Sequence, residues 1–324
     1  LQRADELCDI LTELGPAFIK IGQSLSVRTD LLRPAYVIGL TKLQDKVPPF
    51  STSEALNIIT KEFGASSAEI FPDLVATSSP IAAASLGQVF KAKMFVPVVR
   101  EPSVEDNESM TNQYEEPRME EIDVAVKVQR PGIVDSISLD LHIIRSIAPI
   151  AKSVIGLESD IVQIVDSLGE GFVDELDYRK EADNAAIFMK SIADTPLNGV
   201  VFAPEVVQSA TSGKVLTTRW VEGERLEESP KEEIGKLCSI AMNTYLTMML
   251  QCPILHADPH PGNLRRTPEG KLCIMDWGLV TSVAPDLQQT YIEHIAHLVS
   301  KDYGEVPGDL VRLGFVGEGM ESAA

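Results

Sequence analysis

The most constraining feature of this 324-residue sequence is a pair of polar motifs separated by a short turn-rich segment. The first motif, at residues 256–264, reads HADPHPGNL, and the second, at residues 274–278, reads IMDWG. The segment between them contains Pro268 and Gly270 and leads into an apolar run typical of a strand. The spacing therefore predicts a hairpin that brings the polar residues of both motifs together.

The side chains in these motifs suit phosphoryl transfer from a metal-bound nucleotide. Asp258 can accept or orient the proton of a hydroxyl group, while Asn263 and Asp276 can supply oxygen ligands to Mg²⁺. Mg²⁺ needs only one or two protein carboxylates where phosphates supply the other oxygens. Asp-Pro and Pro-Gly also form ordinary turns, but the complete pattern is far more specific than an isolated Asp-Trp-Gly.

Composition places the chain among ordinary globular proteins, with 44% hydrophobic and 23% charged residues. The formal net charge of -20 argues against nucleic acid as a partner and against electrostatic adhesion to anionic membranes. ATP or ADP stays compatible, because Mg²⁺ and a local cation can override the overall field. The four cysteines form no Cys-x-x-Cys pair, which predicts buried thiols in a reducing compartment. The chain begins at Leu1 rather than Met, which predicts a fragment or a processed form.

Helical periodicity dominates the first 70 residues. Apolar residues recur at steps of three and four over residues 1–26, and Gly15-Pro16 is expected to kink or split that helix. Another amphipathic helix is predicted over residues 53–63, with Ser53 at its N-cap. The first part of the chain is therefore predicted to be a helical extension.

The period changes at Ile81, where the pattern predicts a strand, a tight loop and a second strand. Small residues in this loop would let the backbone approach phosphate groups, although they would equally suit a close-packed hairpin. The loop residues are Ala82, Ala83, Ala84 and Ser85.

An acidic, Pro- and Ser-containing segment at residues 95–122 is predicted to be a disordered insert between two strands. The strand that follows, at residues 124–129, contains Lys127 in an apolar run. A buried ammonium is costly unless it is paired, and nucleotide phosphates together with a helix-borne Glu would pair it. Strand alternation could instead place Lys127 on a solvated face.

Polar residues on two predicted helices are candidates to meet these groups. Lys20 and Gln23 project from nearly the same face of the first helix, either as a functional pair or as solvated side chains. Three acidic residues further on are candidate partners of Lys127 and Lys20, and spacing alone does not choose among them: Glu175, Asp177 and Glu181.

A clear strand over residues 214–221 ends at Glu222-Gly223, where a hinge between two lobes is expected. A long amphipathic helix over residues 230–252 then leads to His256, and another helix over residues 285–300 follows the second motif.

Together these motifs resemble the UbiB family of atypical, protein-kinase-like proteins, also called AarF-domain or activity of bc1 complex kinases. The resemblance covers nearly all of the chain. It rests on KIGQ at 20–23, the Ala-rich loop at 82–85, VAVK at 124–127, ELD at 175–177, the motif at 256–263 and DWG at 276–278. The acidic insert and Trp277, which replaces the usual Phe, are similar to features of plastid members.

The resemblance implies a role for each candidate residue. Lys127 would bind the nucleotide and pair with Glu181, and Asp258 would be the catalytic-loop Asp. Asn263 and Asp276 would be the metal ligands. The other nucleotide-site residues would be the loop Ala82, Ala83, Ala84 and Ser85, the adenine hinge Trp220, Val221 and Glu222, and Lys20 and Gln23 over the active site, with Lys20 contacting Glu175 and Asp177.

The resemblance also implies an α+β, bilobal protein-kinase-like fold. Its parts would be a helical extension at residues 1–75, an N-lobe at 76–222 with the acidic insert 95–122 and inserted helices 133–192, and a helical C-lobe at 223–324. In this family the helical extension occludes the place where a protein substrate would bind.

The implied function is that of an ATP- and Mg²⁺-dependent kinase or ATPase in prenyl-quinone and isoprenoid-lipid metabolism. Its implied partners are ATP or ADP and lipid-pathway enzymes, with peripheral association to a membrane or lipid droplet. The implied location is the chloroplast, at plastoglobules or thylakoids, with the mitochondrion as the alternative. Two other functions stay open: a small-molecule phosphotransferase of the aminoglycoside or choline kinase type, and a non-catalytic scaffold that binds nucleotide.

Overall fold

A computed structural model describes residues 2–26, 32–44, 48–97, 118–155, 166, 169 and 171–316. The chain divides into two compact units, unit 1 with Leu1–Arg179 and Glu205–Trp220, and unit 2 with Lys180–Pro204 and Val221–Ala324. The three-part domain division predicted from the sequence stays a prediction. Within the described ranges, no helix is both long enough and apolar enough to cross a membrane.

Unit 1 opens with helices α1 (Gln2–Leu14), α2 (Pro16–Ser26) and α3 (Pro34–Thr41). The predicted break between the first two is confirmed, because Gly15 adopts a φ of 117° and Pro16 begins α2. Helix α2 contributes to two cores. Its Ile19 packs with Leu40 and Leu43, and its Ala17 packs in a separate cluster with Ile133, Ile137 and Phe172.

Helix α4 (Thr52–Phe63) corrects one prediction about a helix start. Ser51 occupies the N-cap, whereas Ser53, the predicted cap, lies inside the first turn. Three hydroxyl residues stand in a row at this point, so each was a reasonable cap by residue type. A short helix, α5 (Ser67–Ile70), follows.

An antiparallel sheet forms the centre of unit 1. Its strands are β1 (Ala82–Ala83), β2 (Gly87–Pro97), β3 (Met119–Gln129) and β5 (Val215–Arg219), in the order β1-β2-β3-β5. The acidic insert is narrower than predicted, because β2 extends to Pro97 and β3 already begins at Met119. The rest of that insert, residues 98–117, lies outside the described residues.

The two faces of this sheet differ in character. One face is a core in which Phe90, Val124 and Val126 pack with Ala55 and Ile59 of α4. The other face is defined by the register. Val89 pairs with Lys127 across β2 and β3, and Ala125 pairs with Thr218 across β3 and β5. Directly opposed residues share a face, so the chain presents these four side chains together: Val89, Ala125, Lys127 and Thr218.

Helix α6 (Ile133–Ile155) packs on α2, and helix α7 (Tyr178–Ile192) begins in unit 1 and continues into unit 2. Burial raises the pKa of the Asp140 carboxyl on α6, and the backbone N–H of Ala17, in the first turn of α2, partly offsets this shift.

Unit 2 contains a four-stranded sheet and a two-stranded one. The first has the order β4-β9-β8-β6, from β4 (Val201–Phe202), β6 (Glu224–Arg225), β8 (Leu264–Arg266) and β9 (Leu272–Ile274). Strands β4 and β9 run parallel, and the other neighbours are antiparallel. The second sheet pairs β7 (Ile254–His256) with β10 (Val280–Ser282). The predicted hairpin between the two motifs is therefore present as β8 and β9.

Three helices complete the described part of unit 2: α8 (Lys231–Gln251), α9 (Pro285–Ser300) and α10 (Val306–Arg312). The bounds of α9 match the prediction, and those of α8 differ by one residue at each end. One expectation about cysteines is wrong. Cys8, Cys252 and Cys273 are buried, but Cys238 is exposed because it lies on the outer side of α8, next to the buried Leu237.

Packing between α9 and α10 centres on the buried carboxylate of Asp309. Its Oδ2 lies 3.1 Å from Nδ1 of His294 and 2.8 Å from Nδ1 of His297, and Arg312 donates to Oδ1 at 2.7 Å. Burial alone would raise the pKa of Asp309, but hydrogen bonds from these three side chains outweigh it and lower the pKa to about 2. The hydrogen bond with Asp309 in turn raises the pKa of His297.

This cluster predicts a defined pH window for the stability of unit 2. The Asp309 contribution is present above its unfolded pKa of 3.8 and is lost as the pH falls towards 2. The His297 contribution is complete below its unfolded pKa of 6.5 and is lost as the pH rises through the higher folded value. Urea unfolding should therefore show greatest stability from this cluster between those two unfolded values. Asp309→Asn should flatten both limbs, and an unchanged profile in that variant would contradict the assignment.

Candidate active site

The first motif forms a loop that is held together by its own side chains. The amide nitrogen of Asn263 donates to Oδ2 of Asp258 at 2.9 Å and to its carbonyl oxygen at 3.3 Å. Nδ1 of His260 accepts the N–H of Gly262 at 3.0 Å, at the start of the 3-10 turn Pro261–Asn263. The Asp258 carboxylate and the Asn263 amide are thus fixed next to each other, with the amide oxygen of Asn263 turned away from that contact.

His256 connects the first motif to the second. Its Nε2 lies 2.5 Å from the carbonyl oxygen of Asp276, so Nε2 carries the proton and donates it. Its Nδ1 then accepts from the backbone N–H of Asp258 at 3.3 Å and from the hydroxyl of Tyr245 at 3.2 Å. Burial, followed by the nearby charge of Asp258, raises the pKa of Tyr245, which keeps this hydroxyl a neutral donor. One buried imidazole therefore fixes the backbone at both Asp258 and Asp276.

Asp276 follows β9 in a tight turn. Its Oδ1 accepts the N–H of Gly278 at 2.9 Å. Strand pairing continues past β8 and β9, where the N–H of Met275 donates to the carbonyl of Asn263 at 2.8 Å. Asn263 and Asp276 are consequently neighbours at adjoining strand ends, where their side-chain oxygens can serve one cation.

This donor set fits Mg²⁺ bound together with a phosphate group. One carboxylate and one amide oxygen are hard ligands, and Mg²⁺ takes its remaining oxygens from phosphates and water. Within the described ranges no group of three or more His, Cys, Asp or Glu side chains could hold a metal by itself.

Trp277, which follows Asp276 in the second motif, belongs to the core. Its side chain is 1% exposed and stacks on Phe188 with ring centroids 4.4 Å apart. Its indole N–H donates to the carbonyl of Ile274 at 3.0 Å, and its own carbonyl accepts from the amide of Asn184 at 3.0 Å. The indole thus anchors the turn that carries Asp276.

In unit 1, one face of the sheet carries Val89, Ala125, Lys127 and Thr218. At the end of β5, the N–H of Trp220 donates to the carbonyl of Asp123 at 2.9 Å, which continues the ladder to β3. The ammonium of Lys91 lies 4.6 Å from the centroid of the Trp220 ring and 3.2 Å from the Asp123 carboxylate. Trp220, the first of the three predicted hinge residues, therefore extends this face along the sheet edge.

The Ala-rich segment is a tight hairpin at the edge of the same sheet. β1 pairs with β2, and the N–H of Ala84 donates to the carbonyl of Gly87 at 2.8 Å. A Cβ at Gly87 would lie 2.5 Å from both the Val128 carbonyl oxygen and the Tyr178 hydroxyl, so only glycine fits there. Close packing against Val128 and Tyr178 therefore accounts for glycine at position 87, and the phosphate role of the Ala-rich loop stays a prediction.

Lys20 on α2 forms an ion pair with Glu175, with 2.6 Å between Nζ and Oε2. Both groups are largely shielded, with the Lys20 side chain 19% and the Glu175 side chain 6% exposed. Asp177 also caps α7, because its Oδ1 accepts the N–H of Arg179 at 3.1 Å while its carboxylate binds the Arg179 guanidinium. The expected Lys20–Glu175 contact is thus present. The predicted contact of Lys20 with Asp177 stays a prediction.

Local contacts explain Gln23 and Gly22 of the KIGQ stretch. The Gln23 amide donates to the carbonyl of Leu43 at 3.0 Å. A Cβ at Gly22 would lie 2.4 Å from a methyl of Leu43 and 3.0 Å from one of Leu11, so glycine permits the close approach of α2 to these neighbours.

This chain is similar to known proteins over most of its length. The model of the ABC1 atypical kinase-like domain matches residues 42–96 and 114–309. The chain belongs to the ABC1 atypical kinase-like family. It is 38% identical over 321 residues to the Arabidopsis thaliana protein ACTIVITY OF BC1 COMPLEX KINASE 3, chloroplastic, covering 97% of this chain and 41% of that protein. An uncharacterized Synechocystis protein is 36% identical over 97% of this chain and 43% of its own length.

A solved structure supports the fold of this ABC1 domain. The Mycobacterium tuberculosis protein Rv3197, solved in complex with erythromycin, is 27% identical, with a TM-score of 0.58 over 98% of this chain and 74% of that one. The predicted α+β, protein-kinase-like fold is thereby confirmed. The chain spans less than half the length of the curated relatives described above.

Within each unit, the ABC1 domain brings several of the predicted residues together. Asp258, Asn263 and Asp276 meet in unit 2, and Lys20 and Glu175 meet in unit 1. Glu181 is buried in the first turn of α7, and its pairing with Lys127 stays a prediction. Val221 and Glu222 lie between β5 and β6, and their role as a hinge also stays a prediction.

Sequence reasoning missed five residues that build these surfaces: Val89, Asn184, Thr218, Tyr245 and His256 in its anchoring role. Two of them had a usable signal. Val89 and Thr218 follow from counting alternate residues along strands that pair with the Lys127 strand. Asn184 and Tyr245 lie on helices far along the chain from the loops they hold, so no local pattern marked them.

Proposed function

We propose that this chain is an ATP-binding, Mg²⁺-dependent kinase or ATPase domain. The observation that carries the proposal is the joint anchoring of Asp258, Asn263 and Asp276 by His256 and by the β8–β9 pairing. Each residue has the chemistry its place requires. Asn263 and Asp276 would hold Mg²⁺, and the Asp258 carboxylate would orient an attacking hydroxyl or water and accept its proton. Bound Mg²⁺ would neutralise charge on the transferring phosphates.

Lys127 is assigned to the phosphates of the same nucleotide by its place on the half-buried face of the unit 1 sheet. Val89 and Ala125 supply the apolar surface of that face, which suits the flat ring of a base. The Ala-rich hairpin, Trp220, Val221 and Glu222 would complete the nucleotide site, as the family resemblance implies.

The acceptor is proposed to be water or a small prenyl-quinone-related lipid rather than a protein. The shielded Lys20–Glu175 pair ties helix α2 to the segment before α7, within unit 1. The family resemblance implies that this helical extension occludes the place where a protein substrate would bind. Arabidopsis relatives whose names include "chloroplastic" support a chloroplast location for this chain as well. Plastoglobule or thylakoid association, and lipid-pathway enzymes as partners, belong to the same proposal.

Hydrolysis assays with lipid vesicles test this function. We expect Mg²⁺-dependent ATP hydrolysis that rises with liposomes carrying a prenyl-quinone and does not rise with liposomes lacking it. Asp258→Asn should lower turnover about 100-fold or more while ATP still binds, because general-base assistance contributes roughly that factor. Tight nucleotide binding without turnover under every condition would favour the scaffold function instead.

A further inference from the structure

Tyr178 lies directly beneath the lysine that the nucleotide site depends on. The Lys127 ammonium is 5.0 Å from the centroid of the Tyr178 ring, within the range of a cation–π interaction. The ring is 1% exposed, so solvent screens this contact little. A buried aromatic face under a functional cation is more than generic packing, since its negative quadrupole stabilises the charged amine.

The position of the Tyr178 ring is fixed from three sides within unit 1. Its backbone N–H donates to the carbonyl of Gly213 at 3.1 Å. Its hydroxyl abuts the backbone of Gly87, where even a methyl group would collide. The preceding Leu176 carbonyl accepts from the amide of Gln129, at the end of the Lys127 strand, at 2.7 Å. The ring therefore cannot move independently of the strands β2 and β3.

The same short segment also carries the acidic partner of Lys20. Glu175, three residues before Tyr178, forms the 2.6 Å ion pair with that lysine, and Asp177 caps the helix that Tyr178 begins. This short segment therefore contacts both Lys20 of the helical extension and Lys127 of the sheet. This arrangement gives Tyr178 a place in the site that neither the motifs nor the family match assigns to it.

We propose that Tyr178 is a positioning residue for Lys127: its ring face holds the ammonium charged and in place on the sheet before a nucleotide arrives. The consequence for nucleotide affinity rests on the proposed function, whereas the effect on the amine does not. A preformed cation lowers the ordering cost of binding, because the flexible lysine side chain is already placed.

Near-isosteric fluorination separates this role from packing. The series Tyr178→Phe, then 4-fluoro- and 3,4,5-trifluorophenylalanine at position 178, progressively weakens the ring quadrupole at nearly constant shape. The readout is the acylation rate of Lys127 at fixed pH, followed by mass spectrometry without nucleotide. We expect this rate to rise along the series by about two- to fivefold, with ADP affinity falling by a similar factor.

Phe90 supplies the matched control. It is fully buried on β2, on the opposite face of the same sheet, so the same fluorination senses core packing alone. We expect the Lys127 acylation rate to stay constant in that series. A Lys127 acylation rate that stays constant along the position 178 series, or that changes equally in the two series, would overturn the proposal. If the Lys127 acylation rate rises along the position 178 series in a chain that binds no ADP, the contact is supported and the proposed function is overturned instead.

Discussion

Replacing Asp276 with Asn is expected to weaken Mg²⁺-dependent ATP or ADP binding by at least about 100-fold, since loss of even an outer-shell partner often weakens metal binding by 10- to 100-fold. Asp276 supplies the only carboxylate in the proposed donor pair, and its place beside Asn263 follows from the Met275–Asn263 hydrogen bond. Asn preserves the shape of the side chain but removes the charge that attracts the cation. Calorimetric titration with and without Mg²⁺ measures the effect.

Asp194→Asn is the matched control for this charge change. Asp194 belongs to the same unit, is exposed, and lies in the turn after α7, away from both polar motifs. It should bind nucleotide as the unchanged chain does. Equal affinities for the unchanged chain and for Asp276→Asn, with the same Mg²⁺ dependence, would remove Asp276 from the metal site.

Trp277→Ala is expected to lower the free energy of unfolding by about 3–5 kcal/mol, which is typical of truncating a buried aromatic residue. The mutation would remove the stacking on Phe188, the hydrogen bond to the Ile274 carbonyl and the edge contact with His256 at 5.2 Å between centroids. Trp277→Phe should cost less, about 1–3 kcal/mol, because it mainly leaves the buried Ile274 carbonyl without its donor. Urea unfolding followed by circular dichroism gives both values.

The other tryptophan provides the comparison. Trp220 is only half buried and lies at a sheet edge beneath Lys91, so Trp220→Ala should cost clearly less stability than Trp277→Ala. If the two truncations destabilise the protein equally, the central packing role given to Trp277 is wrong. The presence of Trp277 where the family usually has Phe would then need another explanation.

The two polar motifs could be read from sequence because their chemistry is local. Asp258 and Asn263 are five residues apart, and a turn-rich segment before an apolar run places Asp276 at the end of a returning strand. Gly15-Pro16 likewise predicted the break between α1 and α2, since neither residue suits a helix interior. Local patterns of this kind depend on a few neighbouring residues, and the structure follows them.

The parts that sequence could not supply depend on contacts between distant segments. The roles of His256, Tyr245 and Asn184 exist only because helices and loops meet across the fold of unit 2. The Lys20–Glu175 ion pair also joins segments that lie far apart in the sequence, so spacing alone could not select it. The N-cap of α4 is Ser51 rather than the predicted Ser53. Three hydroxyl residues follow one another there, and residue type alone does not choose among them.

Titrating the intact chain with ATP in the presence of Mg²⁺, and again with the metal chelated, tests the central claim most directly. The account predicts saturable binding with Mg²⁺ that weakens at least about tenfold on chelation, because the metal joins the phosphates to Asn263 and Asp276. Absence of ATP binding in both conditions, or equal binding in both, would contradict it.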